Sequence, residues 1–552
     1  MLSRLNSNLR LWLYVLAFGA LMSLGWPPTS FAILLFLGFT PLLLLESEIS
    51  KRSNSASKLV LLKHIYPAFL LWNILTTWWI YKASIAGAIM ANFANALLMT
   101  IPFLLFHQTK KTFGDRLGYF SLIVFWLTFE HLHLRWELTW PWLTLGNGLA
   151  KFPEFVQWYE FTGTSGGSLW ILTTNLIAFF ALRKIAESDA KSDRAKNFAH
   201  NMNVYFVRFA VQFLLAIAIP VLISLLMYRS YQERGKKVEA VAVQPNIDPY
   251  NEKYGNLTSE EQREILKDLT AKTATAKTAF IAWPETAILG SLWLHRLKSN
   301  KVMNELRVFG KNFPDATFII GAFTYKNFGP GDKLSPSARP FERTGKCCYD
   351  AFNSAVQFDN KTDNLAVYHK SKLVPGVERM PYPGAFKFLG NLAIDLGGIS
   401  GSLGMQDERE VFFSPDGVGT APVICYESVF GDYVADYIRK GAQAIIIITN
   451  DGWWGNTPGH RQHLHYASLR AIETRRSIVR SANTGISCFI NQRGDILQAT
   501  EYNERIAVKG EVQLNDEITF YVRFGDYLGW LAVFASMATV IAHFCFFVKN
   551  TR

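Results

Sequence analysis

Apolar residues fall into two regimes along this 552-residue chain. Before about residue 228 they form long runs, at about 11–26, 31–45, 66–81, 84–106, 117–129, 166–182 and 209–227, and one more run closes the chain at 527–548. A helix that crosses a bilayer needs about 20 apolar residues, with about 17 as the usual lower limit. Several runs are short, but flanking aromatics and Ser/Thr extend each to spanning length, so the pattern predicts eight spans. The first two are separated by Trp26-Pro27-Pro28, which also suits a re-entrant hairpin.

Between these regions the pattern changes. Short β-rich runs broken by Gly, Pro, Asn and Asp occur at Val238 to Val243, Ala279 to Trp283, Thr317 to Phe323, Ser354 to Phe358, Leu365 to His369, Pro422 to Cys425, Ala444 to Thr449 and Ile486 to Asn491. Helical stretches, including 258–277 and 461–476, lie between several of them. This alternation predicts a layered α/β domain. Residues 326–347 are rich in Gly, Pro, Ser and basic residues and lack periodicity, so they read as a surface loop or insertion. The expected organisation is a multi-span α-helical membrane domain over 1–228 with about seven spans, an α/β domain over 229–526, and a C-terminal transmembrane helix with a short tail over 527–552.

Composition supports the membrane reading: 50% of residues are hydrophobic and only 18% charged, against about 25% charged in soluble domains. The net charge of +12 comes without a basic cluster interleaved with aromatics, so no nucleic-acid partner is expected. Much of it lies in short loops instead. With the N-terminus in the cytoplasm, the loops on that side carry Lys51, Arg52, Lys58 and Lys63, then Lys110, Lys111 and Arg116, then Arg183, Lys184, Lys191, Arg194 and Lys196, as the positive-inside rule requires. Seven spans then leave the α/β domain outside the cytoplasm, and the eighth returns Lys549 and Arg552 to the inside. Arg4 and Arg10 precede the first run as in a signal peptide, but Gly25-Trp26-Pro27-Pro28 offers no small-x-small cleavage site, so a retained anchor is expected. Five cysteines without a CxxC pair or Cys/His spacing predict no structural metal. Glu130, His131, His133, Arg135 and Glu137 cluster beside Trp136, Trp140 and Trp142; an interfacial loop with an aromatic belt and a lipid-headgroup or acceptor site both fit.

Three segments place a reactive side chain just after an apolar β run, where open α/β sheets assemble their sites. In Phe280-Ile281-Ala282-Trp283-Pro284-Glu285-Thr286 a carboxylate follows a strand and a proline, placed for partial desolvation and general-base work; a helix cap or ion pair is the plainer role. In Tyr368-His369-Lys370-Ser371-Lys372-Leu373-Val374-Pro375-Gly376-Val377-Glu378 a lysine at a strand end is able to stabilise an oxyanion, though most lysines are surface groups. In Pro422-Val423-Ile424-Cys425-Tyr426-Glu427-Ser428 a strand ends in a cysteine, which is inert core unless a base and a cation activate it.

Together, Glu285, Lys370 and Cys425 in this order resemble the catalytic triad of the nitrilase, or carbon-nitrogen hydrolase, superfamily. The resemblance continues in Thr449-Asn450-Asp451-Gly452-Trp453-Trp454-Gly455, in His460-Arg461-Gln462-His463 and in Arg480-Ser481-Ala482-Asn483-Thr484-Gly485. A nitrilase-type domain framed by membrane spans is similar to the apolipoprotein N-acyltransferase family, the membrane-embedded branch. Val243-Gln244-Pro245-Asn246-Ile247, Asn353-Ser354, Pro141-Trp142-Leu143 and Leu145-Gly146 fit it as well. The resemblance implies an αββα sandwich, Glu285 as the base for Cys425, Lys370 at the oxyanion, and Glu378, Tyr426 and Glu427 in support. It implies substrate or lipid contacts at Tyr254, Asn246, Trp142 and Trp453. Two positions depart from the family pattern: Lys372 stands where His is frequent, and Tyr254 where Trp is typical.

The implied reaction is a ping-pong transfer of a fatty acyl group from a membrane phospholipid, through a Cys425 thioester, to the α-amine of a diacylglyceryl-modified N-terminal cysteine of an apolipoprotein. It implies no metal or soluble cofactor, a monomer, and a multi-pass protein of the bacterial inner membrane whose catalytic domain faces the periplasm. Cys347, Cys348 and Cys488 allow a disulfide in an oxidising compartment, and a bridged Cys425 would defeat the chemistry. Two other readings stay open: a membrane-tethered amidase or nitrilase in which water resolves the acyl-enzyme, and a transporter with a degenerate extracellular domain, which needs polar residues paired deep in its spans.

Overall fold

The computed structural model describes residues 6–51, 57–191, 195–341, 348–379, 382 and 402–551. Arg4, Arg52, Arg194, Cys347 and Arg552 lie outside the described residues, as does 342–347 of the expected loop. The chain divides into two compact units: Met1–Trp78 with Ala88–Ser230 and Asp526–Arg552, and Trp79–Gly87 with Tyr231–Gly525.

The first unit is helical, with α1 (Ser7–Gly25), α2 (Leu35–Gly38), α3 (Thr40–Ser50), α4 (Ser57–Thr77), α5 (Ile85–Phe113), α6 (Asp115–His133), α7 (Tyr159–Lys191), α8 (Ala195–Ser230) and, at the C-terminus, α14 (Tyr527–Thr551). Among the described residues seven stretches are long and apolar enough to cross a membrane: Ser7–Gly25, Ala32–Ser50, Lys58–Lys82, Ile85–Phe113, Tyr159–Ile185, Val207–Ser230 and Tyr527–Asn550. The chain is a membrane protein. The remaining expected run, 117–129, forms α6, which carries Asp115, Arg116 and Glu130 and falls outside that set. The run at 31–45 is not one straight helix but a 3-10 turn, α2 and α3. The break frees backbone donors that lipid cannot satisfy, and the Asn175 side chain of α7 accepts the N–H groups of Phe39 at 2.7 Å and Thr40 at 3.1 Å.

The polar cluster near Trp136 is bonded inwards. Glu130 accepts from the Trp126 indole at 2.9 Å and the Leu145 N–H at 2.8 Å. His131 meets Asp526 at 2.6 Å, and His133 accepts from the Trp136 indole at 3.0 Å.

The second unit is a two-sheet sandwich. One sheet contains β1 (Lys236–Gln244), β2 (Thr278–Trp293), β3 (Thr317–Phe328), β4 (Arg339–Pro340), β5 (Cys348–Phe358), β6 (Leu365–His369) and β13 (Ile506–Leu514), ordered β13-β1-β2-β3-β5-β4 with β6 on β5. The other contains β7 (Phe412–Phe413), β8 (Gly419–Ile424), β9 (Ala444–Thr449), β10 (Ile478–Ala482), β11 (Cys488–Ile490) and β12 (Ile496–Leu497), ordered β12-β11-β10-β9-β8-β7. The strands β1, β2 and β3 run parallel, as do β8, β9 and β10. Helices α9 (Ser259–Thr273) and α10 (Lys301–Gly310) cover the first sheet, and α11 (Gly431–Arg439), α12 (Pro458–Thr474) and the short α13 (Phe520–Phe524) belong to the second.

Period-2 alternation explains the layers. Val241, Val243, Ile281, Trp283, Phe318 and Ile320 form one core with Leu266 of α9 and Met303 and Leu306 of α10. The intervening Ala240, Ala242, Phe280 and Ala282 are equally buried, on the side where β1 and β2 meet β10. Strands buried on both faces read as continuous apolar runs. The fold is the expected αββα arrangement.

Candidate active site

Glu285 is set by a fault in a strand. Between Trp283 and Ile288 the β2–β3 register slips, because Pro284 has no N–H to donate and Thr286 takes a φ of 50°, unusual for a β-branched residue. The bulge needs Gly321 opposite it: a Cβ there would lie 2.3 Å from the Pro284 carbonyl oxygen. Lys253 secures the turn, its Nζ donating to Thr286 Oγ1 at 2.5 Å and to the Glu285 carbonyl at 3.1 Å.

Lys370 follows β6 directly, and its N–H continues the ladder to the Asn353 carbonyl at 2.8 Å. Its buried Nζ donates to Glu285 Oε1 at 3.0 Å and to Glu378 Oε1 at 2.9 Å. Asn353 Nδ2 bridges the same two oxygens, at 2.7 and 3.1 Å. Glu378 Oε2 accepts the Val374 N–H at 2.8 Å, closing the loop after β6 onto itself.

Cys425 is the first residue beyond β8, at a φ of 51°, and heads a 3-10 turn to Val429. Burial pushes its thiol well above the ordinary range; Glu285 raises it further, while Lys370 and the Thr449 hydroxyl pull it down. The resting group is therefore a thiol that needs a base. Burial works against the charge on Lys370, but Glu285 and Glu378 outweigh it and hold the ammonium protonated well above its usual range.

Glu427 ties the lysine loop to the cysteine strand. One carboxylate oxygen accepts from Tyr368 OH at 2.6 Å, Ser371 N–H at 2.7 Å, Tyr433 OH at 2.9 Å and Lys372 N–H at 3.3 Å; the other accepts the Ile424 N–H at 2.9 Å. Behind Cys425, His463 Nε2 lies 3.2 Å from the Cys425 carbonyl and 2.9 Å from Ser428 Oγ, and its Nδ1 bonds Asp451 at 3.0 Å. Arg480 donates to Asp451 at 2.5 Å; with His463 it holds that carboxylate well below its usual range against the opposing effect of burial.

Residues 18–177 match the family model of the apolipoprotein N-acyltransferase N-terminal domain, and residues 240–519 that of carbon-nitrogen hydrolases. An apolipoprotein N-acyltransferase of Chlorobaculum tepidum is 30% identical over 530 residues, which cover 93% of this chain and 93% of that one. The chain belongs to the apolipoprotein N-acyltransferase family. A relative of that name from Geobacter metallireducens is 25% identical over 543 residues, with 96% and 94% of the two chains covered, and one from Thermotoga maritima is 27% identical over 419 residues, with 75% and 68% covered. Family membership makes the protein an acyltransferase with lipid substrates in a membrane setting. A tethered hydrolase is less supported, because the match runs through the membrane helices as well.

Of the residues singled out for this family, Glu285, Lys370, Glu378 and Cys425 form one cluster, and Glu427 braces it. Tyr426 is buried beside them, and burial raises its hydroxyl well above the ordinary range. Tyr254 faces the Glu285 turn through Thr286 and stacks on Trp453 at 6.5 Å. Asn246 anchors by its N–H to the Asn483 carbonyl at 2.9 Å. Trp142 belongs to the other unit, buried and stacked on Trp140 at 5.4 Å. Among the described residues Cys425, Cys488 and Cys545 are free thiols, so Cys425 is not bridged. Sequence reasoning missed Lys253, which sits in a polar stretch that looks exposed, and left Asn353 and His463 without roles. A lysine directly before Tyr254 was the available signal.

Proposed function

We propose that the protein transfers a fatty acyl group from a membrane phospholipid to the α-amine of the S-diacylglyceryl cysteine at the N-terminus of an apolipoprotein. The observation that carries this reading is the buried Lys370 ammonium shared by Glu285 and Glu378 next to a protonated Cys425 thiol, in a chain of the N-acyltransferase family.

Glu285 takes the Sγ proton as the sulfur attacks the ester carbonyl of the lipid. Lys370, fixed as a cation, stabilises the tetrahedral oxyanion. The C–O bond breaks, Glu285 returns its proton to the departing lysophospholipid oxygen, and an acyl thioester remains on Cys425. The acceptor amine then attacks that carbonyl and gives its proton to Glu285; the C–N bond forms, the C–S bond breaks and the thiolate is reprotonated. Amines outcompete water at thioesters when the site is dry, and the burial of all three groups supports this. With α6 counted as a span, the charge pattern of the loops supports a bacterial inner-membrane protein whose catalytic domain faces the periplasm. The protein acts as a monomer without a metal or soluble cofactor.

The first half-reaction is tested by incubating the full chain with phospholipid alone and measuring its intact mass. A gain of one acyl group that hydroxylamine removes, absent in Cys425→Ala, is expected; an acylated Cys425→Ala protein would contradict the assignment.

A further inference from the structure

The connection between α4 and α5, Trp79–Gly87, is part of the catalytic unit. Trp79 is fully buried there. Its indole N–H donates to Gln462 Oε1 of α12 at 3.1 Å, and its ring centre lies 4.8 Å from that of Trp454. Gly459, at the start of α12, leaves the space: a Cβ on it would stand 2.5 Å from Trp79 Cδ2. The Tyr250 hydroxyl, 2.9 Å from the Lys82 carbonyl and 2.8 Å from that of Trp453, holds the same segment and the tryptophan loop together.

The contacts continue to the nucleophile. The Trp454 ring packs edge-on against His463, with centres 5.6 Å apart at 78°, and His463 Nε2 lies 3.2 Å from the carbonyl oxygen of Cys425 itself. That carbonyl also accepts the Ser428 hydroxyl at 2.8 Å. Cys425 has a φ of 51°, a left-handed conformation that a non-glycine residue keeps only while its surroundings enforce it. The bonds from His463 and Ser428 supply that enforcement, and the His463 ring is wedged between Asp451, bonded at Nδ1, and Trp454. A shift of Trp454 tilts His463, lets the Cys425 peptide relax and swings Sγ away from Glu285.

We infer that Trp79 is a positioning residue for Cys425: the segment joining two membrane helices sets the nucleophile through Trp454 and His463, so the catalytic unit is fully competent only with that segment seated. The inference rests on the reading of Cys425 as the nucleophile.

The test measures the rate at which iodoacetamide alkylates Cys425 in the full-length protein in detergent, across pH, by peptide mass. Trp79→Ala removes the wedge. Gly459→Ala strikes the same contact from α12 with a residue that helices favour, so its effect does not depend on loss of the fold. Each is expected to slow alkylation on the order of tenfold to a hundredfold, as a displacement of about 1 Å does at a reacting atom, and to shift the pH profile. Trp79→Phe keeps the ring and most of the rate. Adding Gly459→Ala to Trp79→Ala should cost nothing more, since the ring that the new methyl strikes is gone. Wild-type rates and pH profiles in both single variants, or losses that multiply in the double variant, would overturn the inference. An unaltered protein in which the exposed Cys545 is labelled and Cys425 is inert would overturn it at its root, by removing the reading of Cys425 as the nucleophile.

Discussion

Glu427→Gln isolates what the buried brace contributes. The carboxylate receives five donors, four on one oxygen and the Ile424 N–H on the other. A glutamine keeps the four by turning its carbonyl toward Tyr368 and Ser371, which forces its NH₂ against the Ile424 N–H across 2.9 Å. That exchange removes one hydrogen bond to a charged acceptor, worth about 1.5–3 kcal/mol, and strands a buried backbone donor at a cost of about 1–3 kcal/mol. Relief of the buried charge offsets part of this; burial already raises the Glu427 carboxyl above its usual range. The net strain, about 3 kcal/mol, falls on the link between the lysine loop and the residue before Cys425. Single-turnover acylation by phospholipid, followed by intact mass, should slow about a hundredfold, with the protein still folded by thermal unfolding in detergent. Acylation within twofold of the unaltered rate would refute the view that Glu427 holds Lys370 and Cys425 in register.

Three further outcomes follow from neighbouring geometry. Gly321→Ala drives a methyl to 2.3 Å from a backbone oxygen that cannot swing aside; it should cost about 1–3 kcal/mol in stability and slow acylation more than the unfolded fraction explains, and an unaffected rate would contradict the role of the bulge. Burial lowers Lys253 to about 8 from 10.5, with Glu285 opposing the shift. Below pH 8 folded and unfolded chains both carry the charge and the full burial cost is present; from 8 to 10.5 the unfolded chain alone keeps the proton, so stability rises with pH relative to Lys253→Met by at most about 3 kcal/mol. Melting curves of the two proteins at pH 7 and pH 10 check this, and a constant gap between them contradicts it. Lys370→Met leaves two carboxylates sharing one buried site without their cation and should reduce single-turnover acylation by at least about a hundredfold; retention of a tenth of the rate would exclude the oxyanion role.

The strand Ala444 to Thr449 was legible because it is buried on both faces, and it has the bounds expected of it; Leu365 to His369 also has its expected bounds, although most of its residues are only partly buried. The strand β10 was not legible, since Arg480 and Ser481 interrupt its apolar run and only the fold shows both side chains buried and paired. Neither was β13, where Lys509 and Glu511 on the outer face give it a polar look. Lys370 and Cys425 follow strand ends as expected, but β2 runs on past Glu285 to Trp293; the bulge that aims this carboxylate depends on Gly321 and Lys253, which carry no local mark. Trp79 was read within a membrane run, whereas its partner Gln462 lies 383 residues further on. The same distance effect hid Glu46 in the membrane unit, buried and bonded to His107 at 2.7 Å and Lys110 at 2.5 Å; from sequence Lys110 was only a loop charge.

The most direct measurement supplies the purified, full-length protein in detergent with phospholipid and a synthetic peptide bearing an N-terminal diacylglyceryl cysteine, and follows the mass of the peptide. A gain of one acyl group on the α-amine, with stoichiometric lysophospholipid and no gain with Cys425→Ala, is predicted. An unchanged peptide accompanied by free fatty acid would contradict acyl transfer and identify water as the acceptor.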